Sequence, residues 1–134
     1  MILVMASGCF DILHPGHHRY LEQARSWGDR LIVAVNSDAN IRSYKPPPRP
    51  IQNEADRVYQ VRNLRFVDEA FICYEPTAAP YIIRLRPQIF ARGIDYKQSG
   101  GDSREVAACK EAGCELRFTD TPKYASGDYV KWLC

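Results

Sequence analysis

The chain has 134 residues, 46% of them hydrophobic and 25% charged, with a formal net charge of +2 at pH 7. This length and composition are ordinary for a globular protein, so we expect residues 1–134 to form a single domain. The small net charge does not indicate nucleic-acid or acidic-membrane binding. No apolar run reaches the roughly 18 residues of a membrane span, which favours a cytoplasmic protein without a membrane partner.

The first predicted strand is an apolar run at residues 2–6, and a loop joins it to a segment of helical spacing that begins at Pro15. Proline suits the first helical position because its missing N–H would have no partner there. His14 and His17 flank the first turn of this predicted helix. Because helix N-termini attract anions, the loop predicts a phosphate-binding site.

A continuous apolar, β-branched run at residues 31–35 is typical of a strand that is covered on both faces. Together with the preceding strand and helix it predicts a βαβ unit. A polar, proline-rich segment follows at residues 45–50, and its prolines keep it extended and outside the sheet. This segment carries Lys45 and Arg49, so it is a candidate lid of positive charge.

The rest of the chain continues to alternate helices and strands, which predicts an α/β fold: an open, parallel, five-stranded sheet with helices on both faces. Ligands of such sheets bind at the carboxyl ends of the strands. The loops after strands one, two, four and five should therefore form one site. The later predicted elements are a helix capped at Asn53, a strand at 70–73, a helix from 77 to 85, a strand at 89–91, a helix from 102 or 103 to about 113, a strand at 116–119 and a helix from about 126 to 133.

Other kinds of site find little support in the sequence. Two histidines three residues apart are possible metal ligands, but a zinc site needs a third and a fourth, and no nearby cluster has suitable spacing. The Walker and Gly-x-Gly-x-x-Gly patterns are absent. The five cysteines are an odd number without a Cys-x-x-Cys pair, so we interpret them as reduced thiols.

Residues 8–17 read Gly-Cys-Phe-Asp-Ile-Leu-His-Pro-Gly-His. This stretch resembles the signature of the cytidylyltransferase-like nucleotidyltransferases: Gly-Thr/Val-Phe-Asp, two hydrophobic residues, then His-x-Gly-His. Residues 28–38 and 92–97 are similar to the adenylyltransferase domain that makes ADP-heptose from heptose 1-phosphate, as are Lys45, residues 49–50, Glu54, Arg57 and residues 67–68 between them. The resemblance covers nearly the whole chain and implies the Rossmann-like fold of the HIGH-type nucleotidyltransferases.

The resemblance also implies a reaction, in which the phosphate of a small phosphorylated substrate attacks the α-phosphorus of a nucleoside triphosphate and expels pyrophosphate. Mg²⁺ would accompany the triphosphate, and a homodimer is expected. Such a reaction needs positioned reactants and stabilised phosphoryl charge. His14 and His17 would act as hydrogen-bond donors and Lys45 as a mobile charge.

Further site residues follow from the resemblance. Asp11 has a second interpretation, the orientation of a histidine or a loop amide. Arg57 is interpreted first as a support of the site or of the substrate from a helix. Tyr124 is either a base-stacking residue or a partly buried tyrosine at the rim. Nucleotide binding is implied for Gly8, Cys9, Phe10, Gly16, Arg92, Gly93, Asp95, Tyr124 and Ser126, and substrate binding for Asp11, Asp38, Arg57, Arg65 and Lys123.

The chain departs from the family pattern near its end. Residues 123–128 read Lys-Tyr-Ala-Ser-Gly-Asp, where the family has a Ser/Thr-rich helix start. Residues 64–69 are more similar to the glycerol-3-phosphate cytidylyltransferases, in which the arginine matching Arg65 helps to bind phosphate. ATP with heptose 1-phosphate is therefore the favoured pair, followed by CTP with glycerol 3-phosphate and then ATP with FMN. The other class of hypothesis is a nucleotide-binding module with weak catalysis.

Overall fold

Five parallel strands form the sheet of the protein, whose computed structural model describes residues 1–120. The strands are β1 (Leu3–Gly8), β2 (Arg30–Asn36), β3 (Glu69–Cys73), β4 (Ile89–Arg92) and β5 (Glu115–Phe118). Their order across the sheet is β3-β2-β1-β4-β5, and every neighbouring pair is parallel. The predicted open, five-stranded parallel sheet is confirmed.

Five α-helices and a short 3₁₀ turn connect these strands. The first helix begins at Pro15, as predicted, while the five-residue second helix follows β2 where the sequence predicts only a loop. Ser37 caps this short helix, because its hydroxyl accepts from the backbone N–H of Asn40 at 3.1 Å. The helices are α1 (Pro15–Ser26), α2 (Asp38–Arg42), α3 (Glu54–Arg62), α4 (Ala79–Leu85) and α5 (Ser103–Ala112), and the 3₁₀ turn is Ile94–Tyr96.

Apolar side chains cover both faces of the sheet. On one face Leu21 of α1 and Val61 of α3 pack with Val33 of β2, and all three are fully buried. On the other face Ile82 of α4 packs with Phe90 of β4 in a second buried cluster. Burial on both sides explains why the central strands are continuous apolar runs.

The direction of the chain reverses beside β1. From β1 the chain adds β2 and β3 on one side, and it then crosses to add β4 and β5 on the other. The loops after β1 and β4 therefore diverge and leave a crevice between them, where open α/β sheets bind ligands. This crevice is where the predicted site residues should meet.

Some predictions fall on residues that the structure does not describe. The last predicted helix, at about 126–133, lies outside residues 1–120, and so do Lys123, Tyr124 and Ser126. Within the described part, none of the helices combines the length and the apolar character needed to cross a membrane.

Candidate active site

The loop after β1, residues 9–14, has an unusual backbone. Phe10 and Ile12 have φ angles of 53° and 69°, in the left-handed region that side chains, and β-branched ones above all, rarely adopt. Phe10 is nearly completely buried, and a Cβ on Gly8 would lie 3.0 Å from its ring. Such a conformation persists only where surrounding contacts enforce it, so this loop is held rigidly.

His14 and His17 cap the helix that follows this loop. His14 is the N-cap of α1, and its Nδ1 accepts from the backbone N–H of Gly16 at 3.1 Å. The backbone N–H of His14 in turn donates to Nδ1 of His17 at 3.2 Å, and the two rings stack with centroids 3.8 Å apart. Since both Nδ1 atoms accept, each neutral imidazole carries its proton on Nε2. The geometry therefore assigns two Nε2–H donors to the positive end of α1.

The local environment keeps His17 neutral. Burial lowers the pKa of His17 to about 3, and His14, His18 and Lys45 add to that effect while Asp11 opposes it. A residue with this pKa is a neutral hydrogen-bond donor throughout the physiological range. His17 therefore contributes a directed N–H group to the site and no formal charge.

A titration of the histidines tests this assignment. In the folded protein we expect the ring resonances of His17 to show no titration from about pH 8 down to about pH 5 in ¹H–¹³C NMR spectra, whereas the urea-unfolded chain titrates near 6.5. Because the folded pKa is below the unfolded one, the contribution of His17 to stability is complete above about 6.5 and is lost as the pH falls towards 3. A midpoint near 6.5 for folded His17 would contradict the assignment.

Lys45 lies where the C-terminal turn of α2 meets the proline-rich segment. Its backbone N–H donates to the carbonyl of Ile41 at 2.9 Å, which closes the last turn of α2. Its side chain is partly buried, and its positive charge contributes to the lowered pKa of His17. The structure therefore brings Lys45 within electrostatic reach of His17.

Asp11 anchors the far end of the proline-rich segment. Its carboxylate accepts from Arg49 and from the backbone N–H of Ile51, both at 2.8 Å, and from the N–H of Gln52 at 2.9 Å. Burial alone would raise the pKa of Asp11, but these hydrogen bonds outweigh it and hold the pKa below its usual value. The side chain is buried with both oxygens engaged, so the structure favours the orientation of loop amides over direct substrate binding.

Arg57 supports the site from beneath. Its side chain is fully buried in α3, and its guanidinium is committed to protein partners, so the expectation of direct substrate contact is corrected to a supporting role. The guanidinium forms an ion pair with Asp38, which was also predicted to bind substrate: Nη2 of Arg57 lies 2.7 Å from Oδ1 of Asp38. The other acceptors are the backbone carbonyls of Cys9 at 2.8 Å, Asn36 at 2.6 Å and Gln52 at 2.9 Å.

Arg92 lies on the other side of the crevice. Its side chain is mostly buried, with Nε 3.4 Å from Oε1 of Glu105, and its guanidinium stacks over the ring of Tyr96 at 4.1 Å. Gly93 follows, and a Cβ there would lie 2.6 Å from Oδ1 of Asp95, so a larger residue at position 93 would displace that carboxylate. Arg92, Gly93 and Asp95 therefore share one corner of the site, as predicted.

Two partners of this corner, the buried Glu105 and the partly buried Tyr20, were not predicted from the sequence. Glu105 holds Arg92 and also accepts from the backbone N–H of Ala78 at 3.0 Å. Tyr20 donates to the carbonyl of Ala91 at 2.6 Å, and burial raises its pKa to about 12. The sequence does contain a signal for Glu105: a carboxylate placed three and four residues before buried helix positions, Ala108 and Cys109, lies on the buried side of the helix.

Arg65 does not belong to the site. It lies in the loop that leads into β3, at the amino edge of the sheet, opposite the crevice. In that loop the N–H of Asp68 donates to the carbonyl of Leu31 at 3.0 Å, and Leu31 lies at the start of β2. The predicted phosphate-binding role of Arg65 is therefore corrected, because α3 carries the chain away from the carboxyl ends of the strands.

Residues 5–127 match the family model described as cytidylyltransferase-like. The chain belongs to this family. The resemblance that residues 8–17 indicated is thereby confirmed, and the crevice beside His14, His17 and Lys45 is the candidate active site of a nucleotidyltransferase-type domain.

Curated relatives in this family are several times longer than the chain. A bifunctional protein HldE from Campylobacter curvus is 48% identical over 95 residues, which cover 71% of this chain and 20% of that protein. A bifunctional protein HldE from Haemophilus influenzae is 45% identical over 109 residues, covering 81% and 22%. The chain thus spans about a fifth of the length of these relatives.

Solved structures agree with the fold. A lipopolysaccharide core biosynthesis protein from Thermoplasma volcanium is 32% identical and superposes with a TM-score of 0.75, covering 93% of this chain and 99% of that one. Pantothenate synthetase from Thermus thermophilus is 17% identical, with a TM-score of 0.58 over 95% of this chain and 57% of its own. The second likeness shows a common fold alone.

Proposed function

We propose that this member of the cytidylyltransferase-like family transfers a nucleoside monophosphate group from a nucleoside triphosphate to a small phosphorylated sugar or alcohol. The favoured pair is ATP with heptose 1-phosphate, giving ADP-heptose and pyrophosphate. Support comes from the resemblance of residues 28–38 and 92–97 to ADP-heptose-forming domains and from the HldE relatives. CTP with glycerol 3-phosphate is the second candidate, on the similarity of residues 64–69.

One observation carries the proposal: His14 and His17 stack at the N-terminus of α1 with both Nδ1 atoms accepting backbone N–H groups, His17 is neutral, and the charge of Lys45 acts on His17. In the reaction an oxygen of the acceptor phosphate forms a bond to the α-phosphorus. The bond from that phosphorus to the bridging oxygen breaks, and the electron pair leaves with pyrophosphate. Negative charge grows on oxygens that N–H donors and an ammonium stabilise. The acceptor phosphate is already ionised, so no side chain is needed as a general base.

Mg²⁺ belongs to the proposal as part of the triphosphate substrate. Among residues 1–120 no group of three or more His, Cys, Asp and Glu side chains is placed to hold a metal ion. Two carboxylates of the candidate site, Asp11 and Asp38, are engaged by Arg49 and Arg57. The ion would therefore be held by phosphate oxygens and water, the coordination that Mg²⁺ often keeps in such sites. A homodimer is proposed from the resemblance alone.

A matrix of nucleotides and acceptors tests the function. Pyrophosphate release is measured for ATP and CTP, each with heptose 1-phosphate, glycerol 3-phosphate and FMN, and we expect the fastest turnover with ATP and heptose 1-phosphate. Faster turnover with CTP and glycerol 3-phosphate would select the second candidate. Tight nucleotide binding in calorimetry without turnover on any acceptor would instead identify a binding module, the alternative that residues 123–128 raise.

A further inference from the structure

Tyr44 immediately precedes Lys45. The Tyr44 side chain is largely exposed, but the Tyr44 hydroxyl contacts polar groups of the protein. The residue is 54% exposed, yet its hydroxyl oxygen lies 2.8 Å from Sγ of Cys9 and accepts from Nδ2 of Asn36 at 3.2 Å. Nδ2 of Asn36 is also 3.5 Å from Sγ of Cys9. These three atoms, the Tyr44 hydroxyl oxygen, Cys9 Sγ and Asn36 Nδ2, form a triangle of polar contacts. Although the ring of Tyr44 is exposed, the contacts of its hydroxyl hold the side chain in place.

The triangle joins three separate parts of the candidate site. Cys9 belongs to the loop after β1, Asn36 is the last residue of β2, and Tyr44 lies just after α2. Burial raises the pKa of Tyr44, with the Cys9 thiol adding to the effect, so the hydroxyl stays protonated at neutral pH. The contact therefore fixes the main chain at residue 44 against the loop that carries the histidines.

Tyr44 directly precedes the proline-rich segment, residues 45–50. That segment is held at its far end by Arg49 and Asp11, and the Tyr44 hydroxyl holds its near end. Lys45 lies directly beside the near anchor, and its charge already acts on His17. A flexible lysine reaches one place reliably only if its main chain is fixed.

We propose that Tyr44 is a positioning residue, whose hydroxyl, shared with Cys9 and Asn36, places Lys45 over the reacting phosphates. This inference rests on the proposed nucleotidyl transfer. Tyr44 itself touches no reacting atom in this scheme. It acts through Lys45, and the effect of removing its hydroxyl must depend on Lys45 being present.

The test is a double-mutant cycle of Tyr44→Phe and Lys45→Ala, with Tyr59→Phe, an exposed tyrosine of α3, as the matched control. We expect Tyr44→Phe to lower kcat about tenfold while KM changes less than about twofold, because misplacement of a transition-state group acts on kcat. In the Lys45→Ala background, Tyr44→Phe should lower kcat no further. The slow turnover of these variants is measured over hours with labelled nucleotide. An unchanged kcat in Tyr44→Phe, or an equal loss with and without Lys45, would overturn the proposal.

A second readout needs no turnover. Alkylation of Cys9 by iodoacetamide, followed by peptide mass spectrometry, should be several-fold faster in Tyr44→Phe than in the wild type or Tyr59→Phe, because the hydroxyl covers the sulfur. An unchanged rate of Cys9 alkylation in Tyr44→Phe would show that the Tyr44 hydroxyl does not hold the loop after β1. If the wild type turns over no substrate, the proposed function fails while this measurement still decides whether the Tyr44 hydroxyl holds the loop.

Discussion

Replacing His14 with alanine is expected to lower nucleotidyl transfer by about 10²- to 10³-fold, the usual cost of removing one donor that stabilises developing charge. The Nδ1 of His14 is occupied by the N–H of Gly16, so its remaining proton, on Nε2, is the group that serves the reaction. The loss should appear in kcat more than in KM. Steady-state release of pyrophosphate measures it.

Two further variants separate this chemical role from the helix cap. Alanine also removes the cap of α1, at a cost of about 1 kcal/mol, whereas asparagine is among the preferred N-cap residues and retains it. His14→Asn should therefore unfold at the wild-type urea midpoint yet lose most of its activity, because its shorter amide reaches less far. His18→Ala changes an exposed neighbour and should stay within about twofold of the wild type. Activity of His14→Ala within a few-fold of the wild type would refute the role of His14.

Replacing Arg57 with methionine is expected to destabilise the protein by about 3–5 kcal/mol, the cost of removing one partner of a buried ion pair. The change leaves the carboxylate of Asp38 without its cation and removes the donor to three backbone carbonyls. Methionine keeps most of the volume of the side chain, so the loss is electrostatic. Urea unfolding followed by circular dichroism measures it.

Arg65→Met is the matched control, because Arg65 is exposed at the opposite edge of the sheet. It should change the free energy of unfolding by less than about 0.5 kcal/mol, as surface substitutions do. It should also leave turnover unchanged, since Arg65 lies far from the crevice. A loss of stability below about 1 kcal/mol in Arg57→Met would show that the buried network is not a major source of stability.

Sequence patterns predict the repetitive parts of this protein well. The apolar runs of β1 and β2 and the proline at the start of α1 are local signals, and the structure has these elements within one or two residues of the predicted bounds. The short helix α2 escapes prediction because five residues carry too little periodicity, and a single hydroxyl cap decides its conformation. Local sequence patterns are enough to predict these longer elements and their order. The cap that forms α2 depends on the conformation of the loop around it.

Several members of the candidate site can be proposed from the sequence, but the contacts between them cannot. The resemblance indicates His14, His17 and Lys45, yet it does not indicate that Arg57 binds the carbonyl of Cys9, 48 residues away. Buried contacts of this kind join loops that are distant in sequence, and only the topology of the sheet brings them together. For the same reason Arg65 looks like a phosphate ligand in the sequence, although it lies at the wrong end of the strands.

The reversal of the chain beside β1 divides the site into two stretches of continuous sequence. Residues 7–57 hold both histidines, Lys45 and their anchors, while residues 91–105 hold Arg92, Gly93 and Glu105. Two hydrogen bonds between the stretches, from Tyr20 and from Arg92, go to the backbone carbonyls of Ala91 and Ser7, which any residue supplies. A recombination point within residues 74–77 would therefore exchange one stretch for that of a relative and leave the half that carries His14, His17 and Lys45 intact.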